Sequence, residues 1–195
     1  MAADFTIPGP CSLYVGTGVD PSANEAAILA LDQLGFATDD DLFRVQFQYL
    51  NNIVQASDTG EEIAEAVYAG LTATISGTLS KWDPDAATEF MQAPGSTVTA
   101  ANGIGAGIIG TPLIVEAAAK TVSVAIVPET AGQSIYFFPR CYVEGEFSIF
   151  DMGNTNLKAG FSVNAFRVGA SSGDEDALAT GAAATEIVYR KIAKT

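Results

Sequence analysis

The feature that most constrains this chain is the alternation in residues 42–49, where Phe43, Val45, Phe47 and Tyr49 interleave with Arg44, Gln46 and Gln48. Successive side chains of a strand point to opposite faces, so a period of two writes one apolar and one polar face. Residues 67–82 repeat the pattern with a different polar set. Thr72, Thr74, Ser76, Thr78 and Ser80 share one face, opposite Leu71, Ala73, Ile75, Gly77 and Leu79, so one side of this strand is a ladder of small hydroxyls. Between the two strands, residues 50–65 turn polar and acidic and predict a long loop. Long loops in compact domains are usually functional or mobile, which makes Gln55, Ser57, Asp58, Thr59, Gly60, Glu61 and Glu62 a candidate contact element.

The rest of the chain is punctuated for strands. Residues 13–16, after the Pro8-Gly9-Pro10 turn, read as a first short strand. Residues 27–36 read as a strand, with a short helix as the alternative, and Asp39-Asp40-Asp41 as a turn. Asp83-Pro84-Asp85 is an N-cap followed by proline at the first helical position and an acid in the first turn, which predicts a helix near 84–91, ended by Pro94-Gly95. Residues 113–115, 121–127, 134–138, 141–150 and 157–168 read as a β meander with turns at Pro128, Gly132, Pro139 and Gly153-Asn154. Residues 170–184 are Ala-rich and acidic and read as a flexible arm; residues 186–192 are a candidate last strand. The expectation is one mainly β domain over residues 1–169 and an arm over 170–195.

Composition narrows the chemistry. At 195 residues the chain can bury one full core without disulfides or metals. Only 16% of residues are charged, so the surface draws its polarity from Thr, Ser, Asn, Gln and Gly, which suits a protein covered by copies of itself. Lys and Arg number 9 against 23 Asp and Glu, a formal net charge of −14. Grip on nucleic acid comes largely from cations on phosphates, so such a chain is expected to repel DNA or RNA rather than hold it. There is no His, which removes the commonest general acid-base group and the Ser-His and Cys-His nucleophilic pairs. Cys11 and Cys141 belong to no CxxC and read as free, buried thiols of a reducing compartment. MAADFTIPGP has neither a basic nor an apolar leader region, so no secretory signal is expected there. The apolar stretch 104–119 is broken by Gly105, Gly107, Gly110, Pro112 and Glu116, which argues against a membrane span.

Three motifs have plainer readings. Residues 105–110 match GxGxxG, but no strand precedes them and no helix follows, so they read as a connecting loop rather than a pyrophosphate site. Residues 151–156 (Asp-Met-Gly-Asn-Thr-Asn) have the oxygen donors of a calcium loop but no downstream bidentate Glu, and a hairpin turn accounts for them. A carboxylate pair can hydrolyse glycosides without His, yet 23 acids nominate no particular pair, and Trp82, the one Trp, reads as an anchor. No cofactor, metal or catalytic residue is expected, and the chain does not read as an enzyme.

The hydroxyl ladder alone reads as a solvent-facing sheet. Its company raises another reading, because long strands with open edges pair with other chains unless protected, and head-to-tail contacts of that kind close rings. Taken in order, Leu13-Tyr14-Val15-Gly16, Leu34-Gly35-Phe36-Ala37-Thr38-Asp39, the long strand with its acidic loop, Gly70-Leu71-Thr72-Ala73-Thr74-Ile75, Phe138-Pro139-Arg140-Cys141-Tyr142-Val143 and Leu157-Lys158-Ala159-Gly160-Phe161-Ser162-Val163 resemble the major tail proteins of long-tailed bacteriophages. The resemblance covers most of the chain; residues 92–110 match none of its motifs. It implies a β-sandwich or barrel-like subunit with one flanking helix, six copies to a ring, and rings stacked into a tail tube through which the genome passes without specific binding. On that reading Arg44, Gln46, Gln48, Thr72, Thr74, Ser76 and Thr78 are candidate lumen-facing residues, and the 50–65 loop reaches the neighbouring ring. The implied partners are copies of the chain, a baseplate or tip initiator, a terminator, a tape measure and, in a contractile tail, a sheath, with no membrane. The implied location is the virion tail, after synthesis in the host cytoplasm. A capsid decoration protein and the inner tube of a contractile injection system share this composition, and a polar outer wall has the same period as a polar lumen wall.

Overall fold

The structure is a computed structural model and describes residues 3–8, 10–17, 19–38, 42–55, 63–83, 86, 90, 122–143, 148–151, 157–165, 168–169 and 186–195. These residues are mainly β. Strands β1 (Ala3–Pro8) and β2 (Cys11–Thr17) precede a short helix, α1 (Glu25–Leu29), and β3 (Asp32–Ala37). The long strands β4 (Leu42–Gln55) and β5 (Ile63–Leu79) come next, then β6 (Lys81–Trp82), β7 (Val122–Pro128), β8 (Ser134–Val143), β9 (Ser148–Asp151) and β10 (Leu157–Ala165). The two-residue pair β11 (Val168–Gly169) and β12 (Glu186–Ile187) stands apart, and β13 (Arg190–Ala193) closes the series. Every ladder is antiparallel, and the main sheet runs β1-β4-β5-β10-β8-β7-β2-β3-β6, with β9 on β10 and β13 on β8.

The β6 end of this path comes back to β5 through the chain itself. Only Ser80 separates β5 from β6, and β6 pairs with β3 through Gly35↔Trp82 and Phe36↔Lys81. Ser80 N–H donates to the Phe36 carbonyl and Asp83 N–H to that of Leu34, both at 2.8 Å, so the hydrogen-bonded circuit returns to the strand it left. Gly35 is required at this seam, because a Cβ there would run into the Lys81 carbonyl and crowd the Leu79 side chain at 2.9 Å.

Among the described residues the buried apolar side chains form two clusters, and β7 divides them. Val122, Val124 and Ile126 belong to the main core with Leu13, Phe43, Ile75 and Val163, while Ala125 and Val127 pack with Ile28, Ile135 and Phe137 in a second core roofed by α1. A strand buried on both faces needs a continuous apolar run, which Val-Ser-Val-Ala-Ile-Val nearly is. Its one polar side chain, Ser123, donates its hydroxyl to the Pro139 carbonyl at 2.7 Å.

That bond explains why the expected turn at Pro139 is absent. β8 runs through the proline as a bulge, in which Pro139 and Arg140 stand opposite Ser123 alone, between the pairs Val124↔Phe138 and Val122↔Cys141. Proline has no N–H to give to a ladder and is tolerated at such an irregularity, and the buried serine takes up its carbonyl. The bulge also shifts the alternation by one residue, so Phe138 and Cys141 both reach the main core.

Other expectations change as well. The strand favoured over 27–36 is instead α1 followed by β3. Asp20 accepts from Ser22 N–H at 2.7 Å, and Asn24 caps the helix by accepting from Ala27 N–H at 3.0 Å. The loop expected over 50–65 is shorter, because β4 continues to Gln55 and β5 begins at Ile63; polarity was misread as irregularity. Of the helix expected over 84–91, Ala86 and Phe90 are helical, and Asp83 caps it as expected by accepting from Ala86 N–H at 3.1 Å. α1 therefore joins the one flanking helix expected. The candidate last strand over 186–192 appears as β12 and β13, the latter hydrogen-bonded into the main sheet; residues 170–185, the 105–110 motif and residues 113–115 lie outside the described residues.

Residues 188–195 tie several elements together. Val188 is buried in the main core, and the Tyr189 ring packs on Phe47 at 5.3 Å and Phe138 at 5.9 Å. Arg190 donates to the Pro21 and Ala23 carbonyls, and Lys194 to those of Pro128 and Glu129. The Thr195 hydroxyl and N–H both donate to Glu25 and hold its carboxyl below the usual range.

Candidate functional site

The seven candidate lumen residues fall on one face. The β4–β5 register pairs Arg44 with Ser76, Gln46 with Thr74 and Gln48 with Thr72, and the core residues Val45, Phe47, Ala73 and Ile75 occupy the alternate positions. Arg44, Gln46 and Gln48 are exposed; Thr72, Thr74, Ser76 and Thr78 are half-buried.

The face extends beyond those seven. β10 sets Ser162 beside Ser76 and Asn164 beside Thr74, and β8 sets Tyr142 beside Asn164. Thr74 Oγ1 donates to Asn164 Oδ1 at 2.6 Å, and Asn164 Nδ2 donates to the Tyr142 hydroxyl at 3.4 Å. A row of polar groups thus crosses Gln46, Thr74, Asn164 and Tyr142, perpendicular to four strands, and β1 adds Asp4 at the register position next to Gln46. The alternation of Lys158, Gly160, Ser162 and Asn164 with Ala159, Phe161, Val163 and Ala165 carried the signal for the β10 part. Tyr142 carried none, because the bulge at Pro139 and Arg140 put it there.

The electrostatics of this face differ from those of the whole chain. Among its described side chains the charged ones are Arg44 and Lys158, both basic and each already interacting within the chain. The formal charge of −14 therefore does not come from these side chains. The described side chains of this face are mostly hydroxyls and amides, with Asp4 placed on it by register alone.

One end of the face stands free of the sheet body. β1 pairs with β4 only as far as Phe47, and β10 with β5 only from Ala73. Beyond those points residues 48–55 and 63–72 pair with each other, and among the described residues no strand covers their outer edges. At about 3.3 Å per residue, eight residues make a hairpin projecting about 25 Å. Tyr49 is 49% exposed at its base. Two register shifts, after Leu50 and after Val54, each insert an extra residue into β5; bulges of this kind bend a ribbon and blunt its edges against indiscriminate pairing. Of the expected contact residues, Gln55 ends β4 opposite Ile63; Ser57, Asp58, Thr59, Gly60, Glu61 and Glu62 lie outside the described residues.

An open groove of about 580 Å³ runs beside the β3–β6 seam, lined by Asp32, Gln33, Phe36, Lys81, Trp82 and Asp83, and Trp82 is half-buried against the main core, as an anchor would be. No three His, Cys, Asp or Glu residues cluster among the described residues. Nor, among them, is any helix long and apolar enough to cross a membrane. Cys11 and Cys141 are free and fully buried. They pair with opposite ends of β7, at Pro128 and Val122, which puts them about 20 Å apart along the sheet, too far for a disulfide. Burial pushes both thiols up, Cys11 to about 11.

Comparison with protein-family models, with curated proteins and with solved structures returns no match.

Proposed function

We propose that this chain is a structural subunit that assembles with copies of itself into stacked rings, forming the tail tube of a bacteriophage virion. The observation that carries the reading is the polar row across β4, β5, β10 and β8, continuous with a hairpin whose outer edges no described strand covers. A sheet with one face sealed over a core and the other rich in hydroxyls and amides suits the wall of a conduit, and a hairpin whose outer edges no described strand covers suits strand addition to the next copy, which closes a ring when the contact is head-to-tail. The return of the circuit through β6 supports a barrel-like subunit. In such a tube Arg44, Gln46, Gln48, Thr72, Thr74, Ser76 and Thr78 line the lumen, and the residues between β4 and β5 reach the neighbouring ring. DNA slides because the wall holds no dense row of cations for phosphates to settle on.

Purified protein at high concentration, imaged by negative-stain electron microscopy, is expected to show rings or tubes. Deleting residues 56–62 should abolish tubes while leaving a strand-rich circular-dichroism spectrum; a stubborn monomer, or tubes unaffected by the deletion, defeats the reading or the role given to the hairpin tip.

A further inference from the structure

The second core is covered by two elements far apart in sequence. α1 has five residues and reaches the body through Ile28, with Ala23 just before its cap. β13 has four residues and reaches it through half-buried Ile192, lying on the β8 edge at Ser134–Phe137. Neither has the length or the buried surface to hold its place alone.

What holds them is each other. Arg190 Nη1 donates to the carbonyls of Pro21 at 2.8 Å and Ala23 at 3.2 Å, the turn that leads into α1. Thr195 donates through its hydroxyl at 2.6 Å and its N–H at 3.1 Å to Glu25 in the first turn of α1. Lys194 fixes the far side of the same roof on the Pro128 and Glu129 carbonyls, at 2.5 and 3.0 Å. The side-chain bonds of Arg190, Lys194 and Thr195 thus converge on the two rims of the second core.

We propose that α1 and residues 190–195 form a clasp that opens and closes as one unit over the second core, while the main sheet stays intact. Once residues 190–195 lift, α1 loses the bonds of Arg190 and Thr195; once α1 lifts, those two residues lose theirs and Lys194 alone still holds the rim. Opening then uncovers Ile135 and Phe137 together with the free edge of β8, a strand edge beside an apolar floor. The clasp does not depend on the assembly proposed above; it is a property of the folded chain.

Hydrogen exchange read residue by residue tests it. Arg190→Met keeps the apolar stem and removes the donors; it should speed exchange by the same factor at Ile28 and Leu31 of the α1 region and in β13, and leave residues 73–79 of β5 unchanged. Ser134→Cys with Ala193→Cys places two thiols directly opposite in the β8–β13 register, within reach of a disulfide. Oxidation of that pair touches no atom of α1, yet it should slow exchange at Ile28 and Leu31 at least about tenfold, reversibly on reduction, as expected when local opening is cooperative. The buried native thiols leave the engineered pair as the one to oxidise. The proposal is overturned if α1 exchanges at its wild-type rate in both variants, or if the residues of β5 change in step with it, since opening would then be global unfolding. The double-cysteine variant decides the question alone should Arg190→Met not fold.

Discussion

Over residues 73–79, β5 has β10 along one edge, β4 and then the β6 seam along the other, and Phe43, Phe161 and Val163 packed with its own Ile75 and Leu79 beneath it. Over residues 63–70 the same strand pairs, among the described residues, with β4 alone, through a ladder that two bulges interrupt. The first stretch is enclosed by neighbouring strands and the main core; along the outer edge of the second no described strand lies. One strand can serve both ends because a ladder needs only one partner to persist, whereas a core needs enclosure.

The sharpest way to break this contrast is to empty the enclosed half. Phe161 is 4% exposed, with its ring 5.7 Å from Phe43 and 6.1 Å from Phe90. Phe161→Ala should cost about 3–5 kcal/mol by denaturant unfolding. A loss under about 1 kcal/mol would mean that this part of the sheet is not the closed core described.

A smaller effect comes from pH. Burial raises the Cys11 thiol from its ordinary 9.0 to about 11, so the folded chain holds that proton more tightly than the unfolded one. The contribution is complete below pH 9 and is lost as pH climbs through 11. The pH slope of stability in wild type should be steeper than in Cys11→Ala by up to about 1.4 kcal/mol per pH unit across that window. Urea midpoints at pH 8.5, 9.5 and 10.5 read it directly; parallel slopes would show that Cys11 is not enclosed.

The smallest effect belongs to the open half. Tyr49→Ala, at the base of the hairpin, should move stability by no more than about 0.5 kcal/mol. Its effect should appear in the yield of rings instead. A large loss of monomer stability would erase the distinction between the two halves.

Where the backbone obeyed its period, the sequence could be read. Residues 42–49 and 71–79 declared both faces correctly, and all seven expected polar positions fall on one side. Residues 50–55 and 63–65 were lost to the loop because their side chains mix polar and apolar without alternation, and a β-ribbon paired to one partner needs no alternation. α1 was missed because Ala27 and Ile28 were counted into the apolar run that continues into β3, while the capping signal at Asp20 and Asn24 lay just ahead of it. The clasp left no local mark at all. Thr195 meets Glu25 across 170 residues, and nothing in the neighbourhood of either one announces the other.

The bulge at Pro139 and Arg140 makes β8 a strand with two reading frames. Before it, even-numbered residues look toward the main core; after it, odd-numbered ones do, so Cys141 goes inward and Tyr142 joins the polar row. Removing one of the two bulged residues would leave a regular ladder, with the remaining residue opposite Ser123 and Cys141 still opposite Val122, so Cys141 would stay inward and Tyr142 would stay in the polar row. Length is therefore negotiable at this one point, whereas a single deletion within residues 134–138 or 141–143 would turn part of the strand over.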